Sequence, residues 1–124
     1  MKKEDTFIEA IENQKDKEEQ ALRYNEGKLQ WSLVDFKSLE GLVKVLEMGA
    51  KKYDKHNWKK GMPVTQVSES LLRHMFAFLN GEDTDSESKL SHLSHVMCNA
   101  MFLEYIIREK PHYDDRFKNP NQEK

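Results

Sequence analysis

Two histidines three residues apart, flanked at helical spacing by a serine and an asparagine, are the most chemically informative feature of this sequence. Ser88, His92, His95 and Asn99 fall within roughly 60° of one another on a 3.6-residue wheel. Farther along, the same face carries Phe102 and Ile106, so it is expected to point inward. Buried imidazole and amide groups need partners, because each unpaired polar group costs about 1–3 kcal/mol. Two readings stand side by side. The stripe is either a polar network tying helices together, or the lining of a ligand or metal cavity in which neutral imidazole acts as ligand or general base. On the second reading His92, His95 and Asn99 are the candidate catalytic residues.

An acidic turn just ahead of this stripe adds Glu82, Asp83, Asp85 and Glu87. Hard cations such as Mg²⁺ take carboxylate oxygens and keep several waters, although carboxylates at a helix N-terminus also simply oppose the helix dipole. Glu82, Asp83 and Asp85 are the candidate metal ligands here, joined by Glu40, which shares a helix face with Glu47. Candidate phosphate contacts are Lys28 after Gly27, Lys51 and Lys52 at a helix end, and Arg73 with His74 beside it. The two adjacent lysines equally suit the negative end of a helix dipole, and Arg73 can pair with Glu69 one helical turn away. Tyr53 and Trp58 offer rings for stacking on a base, or lids over the core.

The elements that must position these residues are helical. From Asp35 to Tyr53, the residues Leu39, Leu42, Val43, Leu46 and Ala50 recur at the three-and-four spacing of one face. A loop follows from Asp54 to Val64. The next helix is expected to be capped by Thr65, to turn Val67, Leu71, Met75, Phe78 and Leu79 inward, and to stop at Asn80-Gly81. A last helix is expected from near Ser86 to Glu109, ahead of Pro111. Its second half is apolar on nearly every side, which predicts burial on every side. Three or four short helices cannot supply that alone, so the all-α bundle is expected to be completed by a homodimer or homotetramer. Residues 1–22 read as a charged helix or arm, 23–110 as the helical nucleotide-handling domain and 111–124 as a flexible tail.

Composition narrows the function classes. Charged residues are 34% and hydrophobic ones 37% of 124, with a net charge of −2, which suits one polar but foldable domain. With 20 basic and 22 acidic residues interspersed, the electrostatic footprint of a duplex nucleic-acid binder is missing. The lone Cys98 forms no intrachain disulfide. No apolar signal region or membrane-length run is present, so a cytoplasmic protein without a membrane partner is expected. There is no Walker loop, no G-x-S-x-G elbow and no adjacent His-Asp pair.

Six ordered blocks carry a resemblance: R-Y-N-E-G-K (23–28), V-L-E-M-G-A-K-K-Y (45–53), N-W-K-K-G (57–61), L-L-R-H (71–74), G-E-D-T-D-S-E-S (81–88) and H-L-S-H-V-M-C-N (92–99). Over about residues 23–104 the chain resembles the phage and bacterial dATP/dGTP diphosphohydrolase-type domain, a group regarded as distantly MazG-like. The resemblance implies Mg²⁺-assisted (or Mn²⁺-assisted) attack of water on a purine nucleoside triphosphate, giving a monophosphate and pyrophosphate. It departs from the MazG-like metal pattern, an E-x-x-E pair followed by E-x-x-D. Here Glu40 and Glu47 are spaced differently, and the last helix carries His92-x-x-His95. The alternatives are a sponge that sequesters a signalling nucleotide uncleaved, and a helical assembly protein with no ligand.

Overall fold

The computed structural model describes residues 19–120. Most of the expected N-terminal helix or arm, residues 1–18, lies outside the described residues, as do residues 121–124. The chain divides into two compact units, Met1–Leu33 and Val34–Lys124. In the described part of the first, Gly27 takes a positive φ of 80° and the Lys28 N–H donates to the Asn25 carbonyl at 3.1 Å, ahead of a 3₁₀ turn over Trp31–Leu33.

Regular structure in the second unit is all helical: α1 (Glu40–Lys52), α2 (Val64–Leu79) and α3 (His92–Glu109), with 3₁₀ turns at Phe36–Leu39, Asn57–Lys60 and Pro111–Tyr113. Helix α3 is the hub, packed by α1, by α2 and by the turns at 57–60 and 111–113. Ile106 is fully buried against Val64 and Val67, with Met62, Phe102, Leu103, Tyr105 and Tyr113 around them. No helix of the described residues is long and apolar enough to cross a membrane.

Three local expectations change. Thr65 does not cap α2: Val64 is its first residue and Pro63 its N-cap, and proline has no side-chain acceptor to offer. The acceptor comes instead from Asp115, whose carboxylate takes the Thr65 N–H at 2.9 Å and the Thr65 hydroxyl at 2.7 Å. Residues just past Pro111, read as the opening of a tail, thus contribute a helix cap. Helix α3 starts at His92 rather than near Ser86, because Lys89 adopts a left-handed φ of 64° and Thr84 bridges back to Ser91. Ser91 is the N-cap, accepting the Ser94 N–H at 3.0 Å.

The third change concerns burial. Helix α3 buries His92, Ser94, Cys98 and Ile106, but Leu93 is 39% and Ile107 42% exposed. On α2, Leu79 of the expected inward face is 68% exposed, and Leu72 and Phe76 lie open with it. Three helices have too few faces to enclose a helix that is apolar all round.

Helices α1 and α3 are in close contact at Gly41. A Cβ there would collide with the Ser94 hydroxyl and lie 2.9 Å from the Ser94 Cβ, and Ser94 is buried. Gly41→Ala is expected to lower the free energy of unfolding by about 1–3 kcal/mol, the usual cost of overpacking. Gly49, on the same helix, has nothing within 4 Å of such a Cβ. Gly49→Ala should therefore be neutral or gain up to about 1 kcal/mol from helix propensity. Urea denaturation of the two variants beside the parent chain checks the contrast.

Candidate functional site

Helices α2 and α3 each present two polar residues one turn apart, and the pairs face each other. From α2 come Ser70 and His74; from α3 come His95 and Asn99. Asn99 donates an amide hydrogen to the Ser70 hydroxyl at 3.2 Å. One turn along, the rings of His74 and His95 stack with centroids 4.2 Å apart and planes 5° from parallel. His92, at the first position of α3, closes the group: its Nδ1 meets the His74 Nδ1 at 2.8 Å.

The loop between the helices brings the carboxylates. The Asp85 carboxylate accepts the Ser88 N–H at 2.7 Å and lies 4.0 Å from His95 Nε2. The Ser88 hydroxyl sits 2.7 Å from that same nitrogen. Ser88 has thus left the helix yet still holds His95. One donor atom each from His74, Asp85 and His92 lie within 4.8 Å of one another, close enough to share a metal ion. Glu82 approaches from outside, its carboxylate 3.6 Å from His92 Nε2. That nitrogen is buried and has no hydrogen-bond partner.

Beside the cluster lies a cavity of about 640 Å³, with Tyr53, Trp58, Ser70, His95, Asn99 and Phe102 in its wall. His95 and Asn99 belong to both the polar network and the cavity wall, whereas His92 does not line the cavity. Cys98 also lines the cavity, but burial pushes its thiol up to about 12. A thiolate nucleophile at neutral pH is thereby excluded.

The other candidates divide. Lys52 and Tyr53 reach the cavity wall, and the Lys52 ammonium lies 5.5 Å from the Tyr53 ring centroid. Lys51 is exposed in the last turn of α1. Trp58 stacks on Phe102 at 4.9 Å and meets Tyr105 edge-on at the same distance, so it is built into the aromatic cluster. His74 sits among the metal-competent donors. Arg73, its neighbour, is exposed. Glu40 and Asp83 are exposed and belong to no group of three metal-competent donors among the described residues. The Asp83 carbonyl accepts the His92 N–H at 2.9 Å and fixes the start of α3. Lys28 belongs to the first unit. Ser70 was not singled out from sequence, although its i,i+4 spacing from His74 is the signal that finds it.

Burial holds the His74 imidazole below its ordinary range, and the nearby His95 adds to this while Asp85 pulls the other way. Burial likewise lowers His95, partly offset by Asp85. The Ser88 backbone N–H holds Asp85 below the usual carboxylate range. At neutral pH the His74 and His95 imidazoles are therefore neutral and the Asp85 carboxylate is ionised.

The fold and this centre define an all-α domain with an imidazole–carboxylate cluster against a ligand-sized cavity. The chain belongs to the family described as dATP/dGTP diphosphohydrolase, N-terminal, which it matches over residues 18–116. Among curated proteins it is 30% identical over 95 residues, 77% of this chain, to a Salmonella phage PMBT28 protein named dATP/dGTP diphosphohydrolase. The chain spans 32% of that relative's length. No solved structure matches.

The two lowered histidines set a pH dependence. Relative to an unfolded value of 6.5, both bind protons less readily in the folded chain. Their contribution to stability is complete well above that pH and is lost as pH falls through it toward the folded values. Asp85, shifted below 3.8, loses its contribution only at lower pH. With chelator present, the melting temperature is expected to fall between about pH 7 and about pH 5. A His74→Gln/His95→Gln double variant should show a flatter profile; an equally steep one assigns the dependence to other groups.

Proposed function

We propose that this domain hydrolyses a purine deoxynucleoside triphosphate to the monophosphate and pyrophosphate, with a divalent metal bound at the histidine cluster. The observation that carries the reading is the cavity whose wall includes His95 and Asn99, the former stacked on a ring of that cluster. Membership of the family and the name of the phage relative support the substrate class.

The donor set fits a metal: two imidazoles, the Asp85 carboxylate, and a buried His92 nitrogen without a partner. When bound, the metal neutralises phosphate charge and lowers the pKa of a bound water. The remaining roles fall to the chain. His95, kept neutral by burial and fixed by the Ser88 hydroxyl, takes the proton from the attacking water. Asn99, braced by Ser70, orients a phosphate oxygen or that water. Lys52 supplies positive charge at the cavity wall, and the exposed ring of Tyr53 beside it is available to the base.

Incubation with each deoxynucleoside and ribonucleoside triphosphate plus Mg²⁺ or Mn²⁺, followed by chromatography, tests this. Monophosphate and pyrophosphate are expected from a purine deoxynucleotide. His95→Ala should reduce turnover by about 10²-fold or more, the usual share of a general base. Nucleotide that stays bound and uncleaved would replace catalysis with sequestration.

Self-association belongs to the same reading. Leu72, Phe76 and Leu79, each more than half exposed along one side of α2, form an apolar stripe that a second copy would cover. Light scattering is expected to give a dimer or tetramer, and Phe76→Glu to shift it toward monomer. A parent chain that is monomeric at micromolar concentration removes this part.

A further inference from the structure

We infer that His74, His92 and Asp85 form a resident site for a borderline transition ion of the Zn²⁺ or Co²⁺ type, selected over Mg²⁺ and filled without nucleotide. This refines the metal part of the proposed function and rests on that reading for what the ion does, not for whether it binds.

The donor types come first. Two imidazoles and one carboxylate suit zinc, cobalt, nickel or iron, whereas Mg²⁺ takes oxygen donors in a strict octahedron and keeps most of its waters. A Mg²⁺ site on this chain would draw on carboxylates alone. Yet Glu40 and Asp83 are exposed and outside the cluster, and Asp85 has imidazoles as its metal-competent neighbours.

Geometry comes second. His74 and His92 meet Nδ1 to Nδ1 at 2.8 Å, so one ring donates its proton there and the other accepts it. A tetrahedral ion at about 2.0–2.1 Å from each nitrogen would set them about 3.3–3.4 Å apart. The opening required is roughly half an ångström.

The third observation is independent of the donor count. His92 is 5% exposed, and its Nε2 is buried without a hydrogen-bond partner. That vacancy has a cost in either tautomer of the free chain, since a bare lone pair and a lone N–H are both left unpaired. Metal bound at both Nδ1 atoms moves each ring's proton to Nε2. No proton is lost: one ring already carried its proton on Nε2, and the other transfers its own from Nδ1. The Glu82 carboxylate, 3.6 Å from His92 Nε2, is the acceptor that a small shift of its exposed side chain would bring onto that N–H. Carboxylate, imidazole and metal in line are the arrangement by which proteins fix a ligand's tautomer. The Asp85 donor is likewise held in place, by the Ser88 N–H.

The ion would sit one ring away from the cavity. His95 stacks on His74 and lines that space, so a site metal and a cavity ligand become neighbours through a residue both touch.

The test uses the full chain, stripped with a chelator and dialysed. Calorimetric titration with Zn²⁺ is expected to show one ion per chain, bound at least about 100-fold tighter than Mg²⁺. Co²⁺ should give visible absorption bands of an imidazole-ligated ion. Asp85→Asn, which keeps the shape and the Ser88 contact, should weaken Zn²⁺ binding by at least about 10-fold. Glu82→Gln should weaken it by about 10- to 100-fold, the usual cost of losing an outer carboxylate. If His92→Ala fails to fold, these two variants decide the matter. No saturable Zn²⁺ binding, Mg²⁺ binding of equal strength, or unchanged affinity in Asp85→Asn would each overturn the inference. Hydrolysis supported by Mg²⁺ in a chain that binds no Zn²⁺ overturns it too, while leaving the proposed function standing. Tight Zn²⁺ binding in a chain that cleaves nothing does the reverse.

Discussion

The packing of α2 on α3 is the constraint on which the rest of the structure depends. It sets Ser70 opposite Asn99 and His74 against both His92 and His95. Each of these polar groups would be expensive to bury alone. They pair with one another, and among the buried side-chain atoms of the described residues His92 Nε2 is the one left without a partner. Below them the same helix pair closes over Val67 and Ile106, both buried. The apolar end of the interface supplies the attraction, and the polar end uses the rigidity that results.

The loop that joins these helices is part of the same device. A left-handed residue at Lys89, the Thr84–Ser91 bridge and the Ser91 cap fold residues 82–91 back across the start of α3. Had α3 begun near Ser86, its continuous helix would have carried Asp85 away from the imidazoles. Folded back, the loop brings Asp85 and Ser88 to His95 Nε2 and Glu82 to His92 Nε2. Backbone bonds from this loop also lock the register: His92 donates to the Asp83 carbonyl, and Asp85 to that of Leu90.

Helix α1 serves the cavity rather than the cluster. Its close approach at Gly41 seats it on Ser94, and its C-terminal end delivers Lys52 and Tyr53 to the cavity wall. The turn at 57–60 adds Trp58, but with its ring against Phe102. Part of the cavity wall is therefore aromatic, with Trp58 held against Phe102. Asp115 closes the arrangement from the other end of the chain by capping α2 at Thr65.

Much of this was present in residue order alone. Helix periodicity located α1 and α2 and the run of α3 from His92 onward, because an amphipathic helix writes its buried face at three-and-four spacing. The same rule placed His92, His95 and Asn99 together and facing inward, and the ordered blocks carried the family. What residue order does not encode is which face of one helix meets which face of another. That pairing put His74 beside His92 and Asp85, and it left Glu40 and Asp83 outside. Residue order misplaces the start of α3 near Ser86, because Ser91 is an equally good cap by residue type and only the left-handed Lys89 and the bridge to Thr84 select it. The source of the α2 cap lay 50 residues away, beyond any local rule. Local spacing determined the elements and the chemistry each could carry. The burial of α2 on α3 decided which of those groups meet, because only a shared interface can hold residues distant in sequence at hydrogen-bonding distance.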